Sequence, residues 1–307
     1  MKIAAIQHDI AWEDGPATRS RLIPLIAQAA AGGARLVVLS EMYATGFSMN
    51  PDRIAEDRGG PNERFLIEQA QQHGCWLVGS IAQWVGDQAD NQADNQADNQ
   101  ADHRADHRAD NRADNRADNQ ADYQPRAANV AVLAGPAGQL HRYRKIHPFS
   151  YSGEDRYYRA GTEFCTVTVE ELRVSVFICY DLRFADEFWQ LAPDTDLYLV
   201  PANWPQQRRE HWQALLRARA IENQAYVLGC NRVGSGDGAD YAGDSAIIDP
   251  LGRTLVTASQ VETVLFAEVS ADEVAGVRQR FPFLADRRSR LSEPVAAWAE
   301  PVSAGGE

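Results

Sequence analysis

Short β-rich runs alternate with amphipathic stretches over most of this chain, and that order restricts it to layered α/β architectures. KIAAIQ is followed by a helical pattern over 18–31, RLVVLSE by a helix over 62–73, and WLVGSIAQW closes the first block. Further on, ANVAVLAG and LHRYRKIHP flank Gly135-Pro136-Ala137-Gly138, a turn-rich connection that predicts a hairpin. LRVSVFIC, DLYLVPAN and AYVLGCNRV read as strands with helices near 183–192 and 207–222 between them; SAIIDP, RTLVTA and VETVLFAEV read as further strands. No shift in composition marks a second domain, and 307 residues with 44% hydrophobic side chains supply a sizeable core. One α/β domain is expected over 1–280, with mixed sheets covered by helices, followed by an extended tail over 281–307.

One segment breaks the pattern. Between Gln88 and Gln124 the dipeptide Ala-Asp recurs every four residues, nine times, as ADNQ, ADHR, ADNR and ADYQ. Alanine alone buries little, and Asp and Asn compete for backbone hydrogen bonds, so the 87–124 insert is expected to be a disordered or fraying excursion in a loop between two strands. His103 and His107 have the spacing of a helical metal pair, but they come from adjacent copies of one repeat unit with no third ligand nearby, and no metal site is expected. The stretch 87–122 carries ten Asp against four Arg, so it supplies −6 of the formal charge of −13. The chain is acidic with or without it, which argues against sequence-independent binding to nucleic acid or to an anionic membrane. No eighteen apolar residues run together, and MKIAAIQHDIAWEDG meets acidic residues before any signal-peptide core develops. A cytoplasmic protein is expected, whose partner is a small molecule or a second copy of the chain. Its scattered Cys75, Cys165, Cys179 and Cys230 form no metal-spaced pair and are expected as reduced thiols.

VFICYDLRF carries Cys179 to the carboxyl end of an apolar strand and on into a helix start, where α/β sheets gather catalytic groups. Free backbone N–H groups there favour thiolate, which suits a nucleophile; the competing reading is a buried structural cysteine. Neither His147 nor His211 lies in a recognisable setting for the base such a cysteine needs. RLVVLSE instead ends in Glu41, a carboxylate placed for general-base work, and the strand after the insert ends in Arg144-Lys145, whose ammonium compensates it.

Taken together, LVVLSEMYATGFSM, HRYRKIHPF and VFICYDLRF resemble, in order, the three motifs of the nitrilase (carbon-nitrogen hydrolase) superfamily, and the likeness covers nearly the whole chain except the repeat and the tail. Glu41 and Lys145 stand 104 residues apart, and removing the 36 residues of 87–122 leaves 68, closer to the separation usual in the family. The resemblance implies Glu41 as general base, Lys145 as the motif lysine, Cys179 as nucleophile, and a four-layer α-β-β-α sandwich. It implies a second glutamate shortly after the lysine, for which Glu154 is the candidate and Asp155 the rival. It also implies no metal, no organic cofactor, and a homodimer or higher even oligomer.

EMYATGFSM, CYDLRF, PANWP, HWQALLRARAIENQAYVLGCNRVG and YAGDSAIIDPLG are similar to the ω-amidase branch, which hydrolyses the terminal amide of α-keto acid amides such as 2-oxoglutaramate and 2-oxosuccinamate. A substrate of that kind presents a carboxylate suited to a bidentate arginine, and Arg183 is the candidate because carbamoylases of the superfamily resemble this placement. Tyr43, Phe47, Asn203 and Trp204 are expected to wall the pocket, and the Tyr180 N–H to share the oxyanion with Lys145. Small-molecule amide and water are the implied partners. Amidases, nitrilases or carbamoylases of different range, and a non-catalytic scaffold presenting the acidic repeat, remain alternatives.

Overall fold

A computed structural model describes residues 1–86 and 127–288. The Ala-Asp repeat with His103 and His107, and the chain beyond residue 288, lie outside the described residues. The elements run β1 (Lys2–Gln7), α1 (Gly15–Ala31), β2 (Leu36–Val38), α2 (Pro51–Ile54), α3 (Pro61–His73), β3 (Trp76–Trp84), β4 (Ala127–Ala134), β5 (Leu140–Arg144), α4 (Glu154–Tyr157), β6 (Thr166–Val169), β7 (Leu172–Val176), α5 (Ala185–Leu191), β8 (Leu197–Ala202), α6 (Arg209–Asn223), β9 (Tyr226–Asn231), β10 (Val233–Gly236), β11 (Ala239–Ile248), β12 (Thr254–Ser259), β13 (Thr263–Glu268) and α7 (Ala271–Arg280).

They form two sheets. The first has the order β13-β1-β2-β3-β4-β5; the second runs β10-β11-β9-β8-β7-β6, with β12 pairing β11. In each, the central strands are parallel and the outer pairs antiparallel. Because strand side chains alternate, a strand covered on both sides is apolar through most of its central positions. β1 shows this: Ala4 and Ile6 pack with Leu22 and Ile26 of α1 and Leu66 of α3, whereas Ile3 and Ala5 join the core shared with the second sheet. The outer face of that sheet takes Phe188 of α5 and Trp212, Leu216 and Ala220 of α6. Gly229 permits the approach of α6, since a Cβ there would lie 2.5 Å from Leu216 Cδ1. Cys230, one residue on, reaches the opposite way, its Sγ 3.3 Å from both Ile6 O and Val38 O of the first sheet. The result is the expected α-β-β-α sandwich.

Several boundaries differ from the sequence reading. The first helix begins at Gly15 rather than 18, because Asp14 caps it by accepting the Ala17 N–H. β6, β10 and α7 were not anticipated: the two strands are four residues each, and α7 buries only Val274 and Val277. The start of the expected tail is tied down, with Gln224 Nε2 donating to Phe281 O and Arg287 stacked 4.1 Å over Trp189. Residues 87–126 fall between β3 and β4, which pair along their whole length. Among the described residues no helix is long and apolar enough to cross a membrane.

Candidate active site

Three segments meet where the sheets' strands end. After β7 the Phe177 N–H bonds Leu199 O, Ile178 stays extended, and Cys179 turns the chain at φ +46 into a 3-10 turn over Cys179–Arg183. A left-handed backbone is uncommon for a residue bearing a side chain and persists only where neighbours enforce it. Asp181 does so: its Oδ2 accepts from Ile178 N at 2.9 Å and from the Tyr143 hydroxyl at 2.8 Å, and its Oδ1 accepts from His147 N at 2.8 Å. The turn that bears the sulfur is thereby fastened to β5, the strand that leads into the lysine. Among the described residues no acceptor takes the Tyr180 N–H.

Lys145, just past β5, places its ammonium between two carboxylates, 2.9 Å from Glu41 Oε1 and 2.8 Å from Glu154 Oε2. All three side chains are buried. Asn129 of β4 spans the same pair, its Nδ2 lying 2.8 Å from Glu41 Oε1 and 3.2 Å from Glu154 Oε1. Glu154 Oε2 also accepts the Phe149 N–H. Asn203, at the end of β8, holds Glu41 twice: its backbone N–H donates to Oε2 and its side-chain amide to the Glu41 carbonyl. The Cys179 thiol lies within electrostatic reach of Glu41, Lys145 and the Asn203 N–H. Glu41, Lys145, Glu154 and Cys179 therefore form one cluster, while the rival Asp155 is exposed.

Burial would pull the Lys145 ammonium down, but the Glu154 and Glu41 carboxylates outweigh it and raise it above the ordinary lysine range. Burial pushes the Glu154 carboxyl up against the opposing pull of Lys145. The thiol differs from expectation. Burial first, and then the negative charge of Glu41, raise Cys179 well above an ordinary cysteine, and the nearby Lys145 only partly opposes them. Its resting form is the neutral thiol, because desolvation and the adjacent carboxylate outweigh the N–H groups of a short 3-10 turn.

A cavity of about 290 Å3 opens onto Cys179. Of the anticipated wall residues, Phe47, Asn203 and Trp204 line it, together with the expected oxyanion residue Tyr180 and carboxylate-binding Arg183. Tyr43 does not: it is buried behind the first sheet, its ring 6.2 Å from Phe65 and its hydroxyl donating to Asn62 O. The alternation that would aim position 43 with 41 is lost because β2 ends at Val38 and the chain turns, with Met42 at φ +39. Arg183 lies 4.8 Å over the Trp204 ring, with Nη2 3.2 Å from His211 Nδ1. Arg208, which sequence reasoning missed, lines the same cavity 5.5 Å over the Phe149 ring. Neither arginine has a carboxylate partner among the described residues, which leaves two guanidinium groups for a ligand anion.

Asn129 was also missed, although a signal existed: it is the single polar residue in the strand AANVAVLA, and an unexplained polar group at a wholly buried strand position needs a partner. His147 is not a base for the thiol, because its ring is stacked 3.7 Å from Phe184 and its Nδ1 faces Asp181.

The carbon-nitrogen hydrolase family profile matches residues 2–279. The chain is 33% identical to the Omega-amidase YafV of Escherichia coli (strain K12) over 92% of its own length and 94% of that protein. It is 30% identical to the 2-oxoglutaramate amidase of Bacillus subtilis (strain 168), over 94% of this chain and 98% of that one. Among solved structures it resembles XC1258 from Xanthomonas campestris, a CN-hydrolase superfamily protein with an arsenic adduct in its active site; the TM-score is 0.77 at 32% identity, covering 95% of this chain and 98% of that chain. The chain belongs to the carbon-nitrogen hydrolase family.

Proposed function

We propose that the protein is an ω-amidase that releases ammonia from the terminal amide of small α-keto acid amides such as 2-oxoglutaramate and 2-oxosuccinamate through a thioester on Cys179. The observation that carries this reading is the Cys179 thiol beside Glu41, itself paired with Lys145, at a cavity lined by two arginines that have no carboxylate partner among the described residues. The names of the two amidase relatives support the substrate class.

Glu41 takes the Sγ proton as sulfur attacks the amide carbon, so thiolate forms only with substrate present. The oxyanion is held by Lys145 and the Tyr180 N–H, each donor contributing on the order of 3 kcal/mol in comparable acyl-transfer sites. Glu41 then passes its proton to the departing nitrogen; the C–N bond breaks and ammonia leaves. In the second half Glu41, supported by Glu154, takes a proton from water, which attacks the thioester and returns the thiol. Arg183 binds the substrate carboxylate, with Arg208 as a second cation in the same cavity. Phe47, Asn203 and Trp204 shape the walls.

The catalytic unit spans residues 1–280, with 87–124 as an insert and 281–307 as a tail, and it works in the reducing cytoplasm. Exposed Trp189, Ile221, Phe281 and Phe283 around the α5–α6 layer and its tail suit contact with a second copy, giving a homodimer or higher even oligomer. Steady-state ammonia release from 2-oxoglutaramate, 2-oxosuccinamate, glutamine, asparagine, a simple nitrile and an N-carbamoyl amino acid tests the assignment. The two keto acid amides should give the highest kcat/KM; a nitrile or carbamoyl substrate in first place would overturn it.

A further inference from the structure

We propose that Asn129 is a positioning residue for the reaction, holding the Glu41 and Glu154 carboxylates in register, and that Ser80 fixes its orientation; this rests on Glu41 as the base. The orientation follows from donor and acceptor bookkeeping. Ser80 Oγ accepts the Met42 N–H at 2.8 Å and donates to Asn129 Oδ1 at 2.8 Å. A flipped amide would turn Oδ1 toward two carboxylate oxygens, so the Asn129 amide is fixed. Its two N–H groups face two carboxylates, one hydrogen for Glu41 Oε1 and one for Glu154 Oε1.

Asn129 and Lys145 therefore form two links between the same carboxylates. They are neighbours in the hairpin, since Asn129 O accepts the Lys145 N–H at 2.9 Å. Lys145 supplies one positive charge for two negative ones. Asn129 adds two donors without adding charge, and it can neither give up nor take a proton while Glu41 does both in each half-reaction. Hydrogen bonds to an ionised carboxylate favour that form, so removing them favours its protonation. The arrangement also directs the proton. Glu41 Oε1 already accepts from Asn129 and Lys145, whereas among the described residues Oε2 accepts from the Asn203 N–H alone, and is the oxygen left for a further proton. The proton leaving Sγ goes to Oε2 and from there to the nitrogen of the breaking C–N bond. Without Asn129, Oε1 competes for that proton.

The test is the pH dependence of kcat/KM for 2-oxoglutaramate in the full chain, for wild type, Asn129→Leu, Ser80→Ala and Glu41→Gln. Asn129→Leu should remain folded, lose roughly 10–100-fold in kcat/KM at neutral pH and move the acid limb up by about one pH unit, as the loss of a charge-assisted hydrogen bond predicts. Ser80→Ala should shift the limb the same way by less. A second readout needs no substrate: the pH profile of Cys179 alkylation by iodoacetamide should also move up, because a less satisfied Glu41 holds the thiol proton more tightly. Asn129 would be merely structural if both profiles stayed at their wild-type positions while the rate fell uniformly. Should Asn129→Leu fail to fold, Ser80→Ala decides by the same two profiles. An active Glu41→Gln variant would instead sink the underlying mechanism, whereas an inactive one beside unmoved profiles would sink the role of Asn129 alone.

Discussion

Lys145 and Glu41 stand 104 residues apart in the chain and 2.9 Å apart in space, both fully buried. Their pairing joins the hairpin that follows the repeat to the turn that follows β2. One ammonium serves two carboxylates, so the charge balance of the whole site depends on it. Truncating it to Lys145→Met should abolish turnover and destabilise the fold by about 3–5 kcal/mol, since two buried carboxylates lose their counter-charge. Chemical denaturation of the variant beside wild type measures this; a stable, active Lys145→Met protein would show that the pair is incidental.

The cysteines separate by position. Cys179→Ala should lose all measurable ammonia release. Cys230→Ala, between the sheets, should keep its activity and lose about 1 kcal/mol of stability from the vacated volume. Full activity of the Cys179 variant would contradict the assignment.

Burial, and then the negative charge of Glu41, raise the Cys179 thiol above its ordinary range. Replacing it as Glu41→Gln removes the negative charge and the acceptor that raise the thiol, so ultraviolet titration should find thiolate at lower pH in an enzyme that no longer turns over. A thiol that titrates as in wild type would mean that the contact with Glu41 does not govern Cys179.

Alkaline pH should unfold the protein early. Lys145, Tyr43 and Tyr143 all hold their protons more tightly in the folded state than in the unfolded chain. Groups raised in this way contribute stability that is complete below their unfolded pKa values, about 10, and is lost as pH rises beyond them. Denaturation midpoints should therefore fall steadily above about pH 10, and a flat profile there would contradict the burial of these groups.

Arg183→Met should raise KM for 2-oxoglutaramate by roughly 10–100-fold, the worth of a hydrogen-bonded charge pair, and leave hydrolysis of a small uncharged amide nearly unchanged. Arg208→Met should do the same to a smaller extent. Equal losses on both substrates would assign the arginines to the scaffold.

Much of this site was legible in the sequence because Glu41 and Cys179 each follow an apolar strand and Lys145 follows the polar hairpin strand LHRYR after a clear turn signal, and the layered fold was legible from the apolar runs. Asn129 was not singled out because polar residues are judged one at a time, and its partners arrive from β3, the turn after β2, and α4. Tyr43 lies two residues from Glu41, but a turn at Met42 sends it away from the pocket. The raised thiol of Cys179 was not legible, because burial, its largest cause, depends on the sheets closing over the sulfur. Arg208 precedes α6 in a stretch, QQRRE, whose charges read as solvated until the fold brings it to the cavity.

The most direct measurement is intact-protein mass spectrometry after rapid acid quench during turnover of 2-oxoglutaramate, followed by peptide mapping. A single adduct is expected, with the mass of the substrate minus ammonia, on Cys179 in the wild-type enzyme and absent from Cys179→Ala. Sustained ammonia release with no adduct, or with the acyl group on another residue, would contradict covalent catalysis at this sulfur.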